Sequence, residues 1–137
     1  MSEPTDWAML KGESQGMAKL LRIRKSEAPA EFATLCAIEW RYPGEDQNGM
    51  PSAAARTAFD AFEDALAAIV DSQFSRLVMV TTGLNVREWA FYTSDRELFM
   101  KQFNHFMSGK ARVPIKIAFF TDAAHEHWMR YRKQIAS

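Results

Sequence analysis

"TTGLNVREWAFYTSD", Thr81–Asp95, decides how the rest of the chain is arranged. Val86–Thr93 is rich in β-branched and aromatic residues, and so is Arg76–Thr82, the stretch that leads into it. Between them Gly83 and Asn85 tolerate the positive φ of a tight turn, so the expectation is a β-hairpin. If Gly83 pairs with Val86, then Val80 lies beside Trp89 and Val78 beside Phe91 on one face. The opposite face then holds Leu77 beside Tyr92, Met79 beside Ala90 and Thr81 beside Glu88.

Downstream, "SDRE" at Ser94–Glu97 reads as a capping box. The helix it opens points Phe99, Phe103 and Phe106 inward and stops at Gly109. "VPIKIAFF", Val113–Phe120, is a further strand, and a last helix runs from about Asp122 to Ile135 with Ala124, Trp128, Tyr131 and Ile135 on one stripe. Upstream, "SAAARTAFDAFEDALAAIV" is helical: Phe59, Phe62, Leu66, Ile69 and Val70 recur at three- and four-residue steps, and Ser52 is its N-cap. Before it come the strand Thr34–Tyr42, ended by Pro43 and Gly44, and two shorter strands, Asp6–Leu10 and Met17–Arg24.

From Thr34 onward the order is strand, helix, strand, strand, helix, strand, helix. This predicts an α+β fold of the ferredoxin-like split βαβ type (βαββαβ), an antiparallel sheet with two helices on one face. The N-terminal strands and the C-terminal helix are additions to it, and residues 1–137 form a single domain. One face of the sheet is apolar enough to receive the helices. The other carries Leu35, Ala37, Glu39 and Arg41 on the first of these strands and Lys116, Ala118 and Phe120 on the last, too mixed for a face left in water. Cover is expected there from the C-terminal helix, the N-terminal hairpin or a second copy of the chain.

Seventeen basic and seventeen acidic residues cancel, which gives no electrostatic reason for a nucleic-acid or anionic-membrane partner. No apolar run is long enough for a spanning helix, and the acidic start "MSEPTDWAML" is unlike a signal peptide, so the expected location is the cytoplasm. The single Cys36, in the apolar run "FATLCAIEW", is expected to be a buried thiol. On a helix His125 and His127 point about 200° apart and cannot share an ion, so no metal or cofactor is expected. Asp60, Glu63 and Asp64 share a helix face that reads as the wet side; the structural alternative is that Glu63 or Asp64 bonds the "NGMP" loop or pairs with Arg87. "RIRK" and "RYRK" read as solvated basic clusters, and no nucleophile or phosphate loop is set up.

"NGMP" before a helix, "FEDAL" within it, the hairpin and "HWMRYR" near the end resemble an uncharacterised bacterial family catalogued as domain of unknown function 695. The resemblance runs from about Trp7 to Tyr131. It departs at Leu84-Asn85-Val86, where another Gly is expected in the turn, and at His125-Glu126-His127-Trp128, where an Asp more often precedes the Trp. It implies the same fold, with an architecture similar to the protein regulators that inhibit ribonuclease E by binding it.

The sequence thus points to a non-enzymatic cytoplasmic binding or regulatory domain that works through a protein partner or as a homodimer. Its expected contact residues are Arg41, Arg87, Glu88, Tyr92, Trp128 and Tyr131. The alternative is a small-molecule site or enzyme pocket near Arg87 and the 43–51 loop, where Arg87 would hold an anion and Glu63 or Glu88 would serve as acid or base.

Overall fold

The computed structural model describes residues 6–44 and 48–135; positions 45–47 of the "PGEDQNGMP" loop and the two chain ends lie outside them. In chain order the elements are β1 (Trp7–Ser14), β2 (Met17–Arg24), β3 (Thr34–Arg41), α1 (Ala53–Ala65) and the short α2 (Ala67–Val70). There follow β4 (Ser75–Gly83), β5 (Val86–Thr93), α3 (Arg96–Met107), β6 (Ile115–Thr121), α4 (Glu126–Arg132) and a 3-10 turn at Lys133–Ile135. The fold is α+β, with one six-stranded antiparallel sheet in the order β1-β2-β4-β5-β3-β6. A four-stranded sheet with separate additions was expected. Instead β2 pairs with β4 from Lys19↔Gly83 to Ile23↔Met79, so the N-terminal hairpin extends the sheet rather than covering it.

The β4–β5 hairpin forms where its turn residues put it. Leu84 (φ 56) and Asn85 (φ 66) both occupy the left-handed region of a two-residue turn. A leucine there costs roughly 1–2 kcal/mol, which the surroundings must offset. They do so through the loop that precedes α1. The Asn85 N–H donates to Gly49 O at 3.0 Å, the Tyr42 N–H to Asn85 O at 2.9 Å, and the Tyr42 hydroxyl to Gly49 O at 2.7 Å. A Cβ on Gly49 would stand 3.1 Å from the Leu84 nitrogen, so only glycine lets the loop approach the turn this closely.

The hairpin register agrees with expectation at Thr81↔Glu88, Met79↔Ala90 and Val80↔Trp89, then departs from it. A bulge at Val78 brings Leu77 opposite Phe91 and Arg76 opposite Tyr92, where Val78 and Leu77 were expected. Leu77 therefore faces the helices, while Val78 and Met79 both face the other way. Several boundaries also differ: β1 runs on to Ser14, past the expected end at Leu10, and β6 starts at Ile115 rather than Val113. The N-cap of α3 is Asp95, not Ser94, its carboxylate accepting from the Leu98 N–H at 2.9 Å. The first long helix breaks at Leu66, between α1 and α2. The last helix starts at Glu126, because Asp122 caps it from four residues upstream by accepting from the Glu126 and His127 N–H groups. Ser52 caps α1 as expected.

Two apolar layers sandwich the sheet. On one face Cys36, Ile38, Trp40, Leu77, Val80, Trp89 and Phe91 meet Phe59, Phe62, Leu66 and Ile69 of the α1–α2 stretch and Phe99 and Phe103 of α3. Trp89 and Phe62 lie 4.8 Å apart between ring centroids. On the other face Leu21, Ile23, Leu35, Val78, Met79, Ala90 and Tyr92 pack under Trp128 of α4 and under Ala28 and Phe32 of the β2–β3 connection. Cover on both sides is why the strands do not alternate cleanly. The cover is partial: towards β6 and the β4–β5 turn this face stays open, and Phe120 is 53% exposed.

Candidate functional site

Two clusters of charged side chains occupy opposite faces of the sheet. On the helical face Glu63 of α1 is a hub. Its Oε1 accepts from Arg22 at 2.7 Å, and its Oε2 accepts from Arg87 at 2.7 Å and from the Trp89 indole N–H at 2.9 Å. Arg87 also donates to the Thr82 hydroxyl at 3.0 Å and lies over the rings of Phe59 and Trp89. Burial pushes the Glu63 carboxyl up, but the Arg22 charge and the three hydrogen bonds outweigh it and hold the group below its usual range. Held below its usual range, this carboxylate is a weaker base than an ordinary glutamate. Its place on α1, one step outside the Phe59–Phe62 stripe, is what lets it reach back over the sheet.

On the other face, a recess of about 220 Å³ opens between α4 and the turn end of the sheet. Its polar lining is Lys19 of β2, Glu39 of β3, Thr81 of β4, Glu88 of β5, and His127 and Tyr131 of α4. Alternation puts Glu39, Thr81 and Glu88 on this face, and the ladder sets Glu88 directly opposite both Glu39 and Thr81. His127 Nε2 approaches Glu88 Oε1 at 3.5 Å yet makes no hydrogen bond. Deeper, the Tyr92 hydroxyl donates to Asp122 at 2.5 Å, and the buried His125 ring stands 4.4 Å from the Tyr92 ring with Nε2 2.8 Å from Phe32 O. Burial and the Asp122 charge push the Tyr92 phenol well up. Burial opposes ionisation of Asp122 too, but the Tyr92 hydroxyl and the two helix N–H groups hold it below the usual range.

The six expected contact residues do not form one site. Glu88 and Tyr131 line the recess. Tyr92 and Trp128 are fully buried in the layer under α4, so what they touch is the protein's own interior. Arg87 points to the opposite face and is engaged by Glu63, the structural pairing considered for that carboxylate. Arg41 stands at the exposed end of β3, 3.9 Å from Glu39. Alternation already places Glu39 and Thr81 on this face, though outside the six; Lys19 and His127 were not expected, and only the packing of α4 reveals His127. His125 is buried against Phe32 rather than solvated at a helix start. Cys36 is buried as expected, and burial pushes its thiol up to about 12. No group of three or more His, Cys, Asp or Glu among the described residues could hold a metal ion.

A family model described as "Family of unknown function (DUF695)" matches residues 6–134. The chain belongs to this family. No curated protein and no solved structure matches it. The DUF695 match spans every described strand and helix except the last residue of the 3-10 turn, so both charged clusters fall inside it. No described helix is long and apolar enough to cross a membrane.

Proposed function

We propose that this DUF695 domain is a small cytoplasmic binding or regulatory domain, not an enzyme, and that the recess beside α4 is where it meets a protein partner. The observation that carries this reading is which polar groups remain free. Around Glu63 both cations and the indole already engage one carboxylate, even though Arg22 Nε and Arg87 Nε are buried without a partner of their own among the described residues. In the recess, no side-chain hydrogen bond among the described residues reaches Glu39, Thr81 or Glu88. Solvent-accessible polar groups not tied to the protein's own side chains, beside an aromatic wall, are what an interface uses for orientation and specificity.

The alternative pocket near Arg87 and the 43–51 loop has less support. Arg87 is already bound by Glu63 and Thr82, and the space above the turn is taken up by Gly44 and Gly49, whose Cβ positions would meet Asn85 Oδ1 at 2.6 Å and the Leu84 nitrogen at 3.1 Å. We also infer that β3 to β6 with α1 and α3 form a ferredoxin-like split βαβ unit; its support is the sub-order β4-β5-β3-β6 with both helices on one face. That unit would present the opposite face for binding, with α4 framing one side.

The test is capture from the source organism's lysate with three baits: the protein itself, a Glu88→Lys/Tyr131→Ala variant, and an Asp60→Asn control on the exposed side of α1. A partner held by the first and third but lost by the second is the expected result. Equal recovery by all three would reject the recess as the contact site. Light scattering on the same samples separates a homodimer from a partner of another kind.

A further inference from the structure

The recess is small, and its floor is a like-charge pair. Glu39 and Glu88 sit directly opposite each other across the β3–β5 ladder, an arrangement that destabilises a sheet. Glu88 is the less compensated of the two, since Glu39 also faces Lys116 across the β3–β6 ladder. Glu39 has Arg41 at 3.9 Å, on a side chain 76% exposed. Glu88 has His127 at 3.5 Å, an ion pair only when the imidazole is protonated. One lysine, Lys19, against two glutamates leaves the lining with a formal charge of −1 when His127 is neutral. Beside the carboxylates stand the Thr81 hydroxyl and the Tyr131 ring, 6.3 Å from that of His127.

Resting on the reading that this recess is the contact site, we propose that it is the anchor pocket for one arginine side chain of the protein partner. The guanidinium lies between Glu39 and Glu88, with its plane against Tyr131. Arginine fits better than lysine for a geometric reason. Its planar fork has five donors and can serve carboxylates on two neighbouring strands at once, and it stacks on an aromatic ring, whereas an ammonium is a point charge. The flanks narrow the partner further. Arg41 is exposed beside Glu39, and Lys116 stands in register with Glu39 on β6, so a uniformly basic chain is repelled at the rim. A single arginine beside neutral or acidic residues is accepted. Phe120, 53% exposed on the same face of β6, gives such a segment an apolar footing outside the recess.

The experiment is an amide-resolved NMR titration with a capped five-residue peptide carrying arginine among alanines. Peptides with citrulline, its neutral isostere, or lysine at the centre are the comparators. The arginine peptide is expected to shift amides at Glu39, Thr81, Glu88, His127 and Tyr131 with a Kd on the order of 1 mM, weakening with salt. The lysine peptide should bind less tightly and the citrulline peptide roughly tenfold less tightly. Glu39→Gln/Glu88→Gln should abolish binding yet raise the melting temperature, because it removes the repulsion, so lost binding cannot be ascribed to misfolding. Equal binding of the citrulline peptide, binding retained by the double variant, or no shifts in the recess would each overturn the proposal. If that happens while lysate capture still depends on Glu88 and Tyr131, the anchor is wrong and the contact site stands. If both fail, the contact site falls as well.

Discussion

Replacing Glu63 with glutamine tests the hub that joins α1 to β2 and β5. The side chain keeps its length and one acceptor but loses its charge. The Arg87 pair, with side chains 15% and 19% exposed, is the larger loss, about 1–2 kcal/mol for a partly buried charge-assisted contact. The Trp89 indole N–H changes from a charged to a neutral acceptor, about 1 kcal/mol. The Arg22 pair is 34% exposed on the arginine side and is discounted to about 0.5 kcal/mol. Together these give about 3 kcal/mol, or a melting temperature lower by roughly 10 °C in a chain of this size. Urea unfolding followed by tryptophan fluorescence reads the difference directly. The pH dependence then identifies the group. Glu63 titrates below its ordinary 4.5 when folded, so its stabilisation is fully present above that value and fades as pH falls through the lower folded value. The gap between wild type and Glu63→Gln should therefore be constant near neutrality and shrink in acid. A gap under about 0.5 kcal/mol at pH 7, within the range of ordinary surface substitutions, would refute the hub, as would a gap unchanged in strong acid.

Asp95→Ala should cost about 1 kcal/mol and Ser94→Ala almost nothing, because Asp95 accepts from the Leu98 N–H; thermal unfolding of the two variants checks the position of the cap. Tyr92→Phe should cost about 1–2 kcal/mol, since it removes the hydroxyl bond to Asp122 at the start of α4, and the α4 amides should lose hydrogen-exchange protection before those of β5. Leu84→Gly should raise stability by about 1 kcal/mol by relieving a left-handed leucine, with Gly49→Ala destabilising in the same melting assay. Cys36 should react with a thiol reagent only as fast as the protein opens, because burial raises its pKa to about 12 and keeps it protonated.

What the chain discloses before folding is local chemistry. Gly83 and Asn85 fix the hairpin turn, and the turn fixes the first pairs, Thr81 with Glu88 and Met79 with Ala90. The bulge was not legible, because Val78 and Leu77 are apolar and either could face either layer. Asp95 and Ser94 are both good caps, and only the geometry chooses between them. The charged clusters divide in the same way. That Glu63 could meet Arg87 followed from α1 lying over β5, but Arg22 joins them only because the N-terminal hairpin continues the sheet at β4. Tyr92 and Trp128 looked like contact residues because the second face was mixed. They are core because α4 crosses that face, and Glu39, Thr81 and Glu88 stay uncovered in the recess along its edge.

The irregularity in β4 also bears on how the length of this chain can change. Losing one residue from a paired strand normally turns every side chain beyond the cut to the wrong layer. Between Leu77 and Met79, however, the strand holds one residue more than its neighbour. A deletion there would close the ladder into a regular one and leave Arg76 opposite Tyr92, at the cost of one apolar side chain from the layer under Trp128. The same cut in β5 has no spare residue to absorb it. This point in β4 is therefore where relatives one residue shorter can keep the same fold.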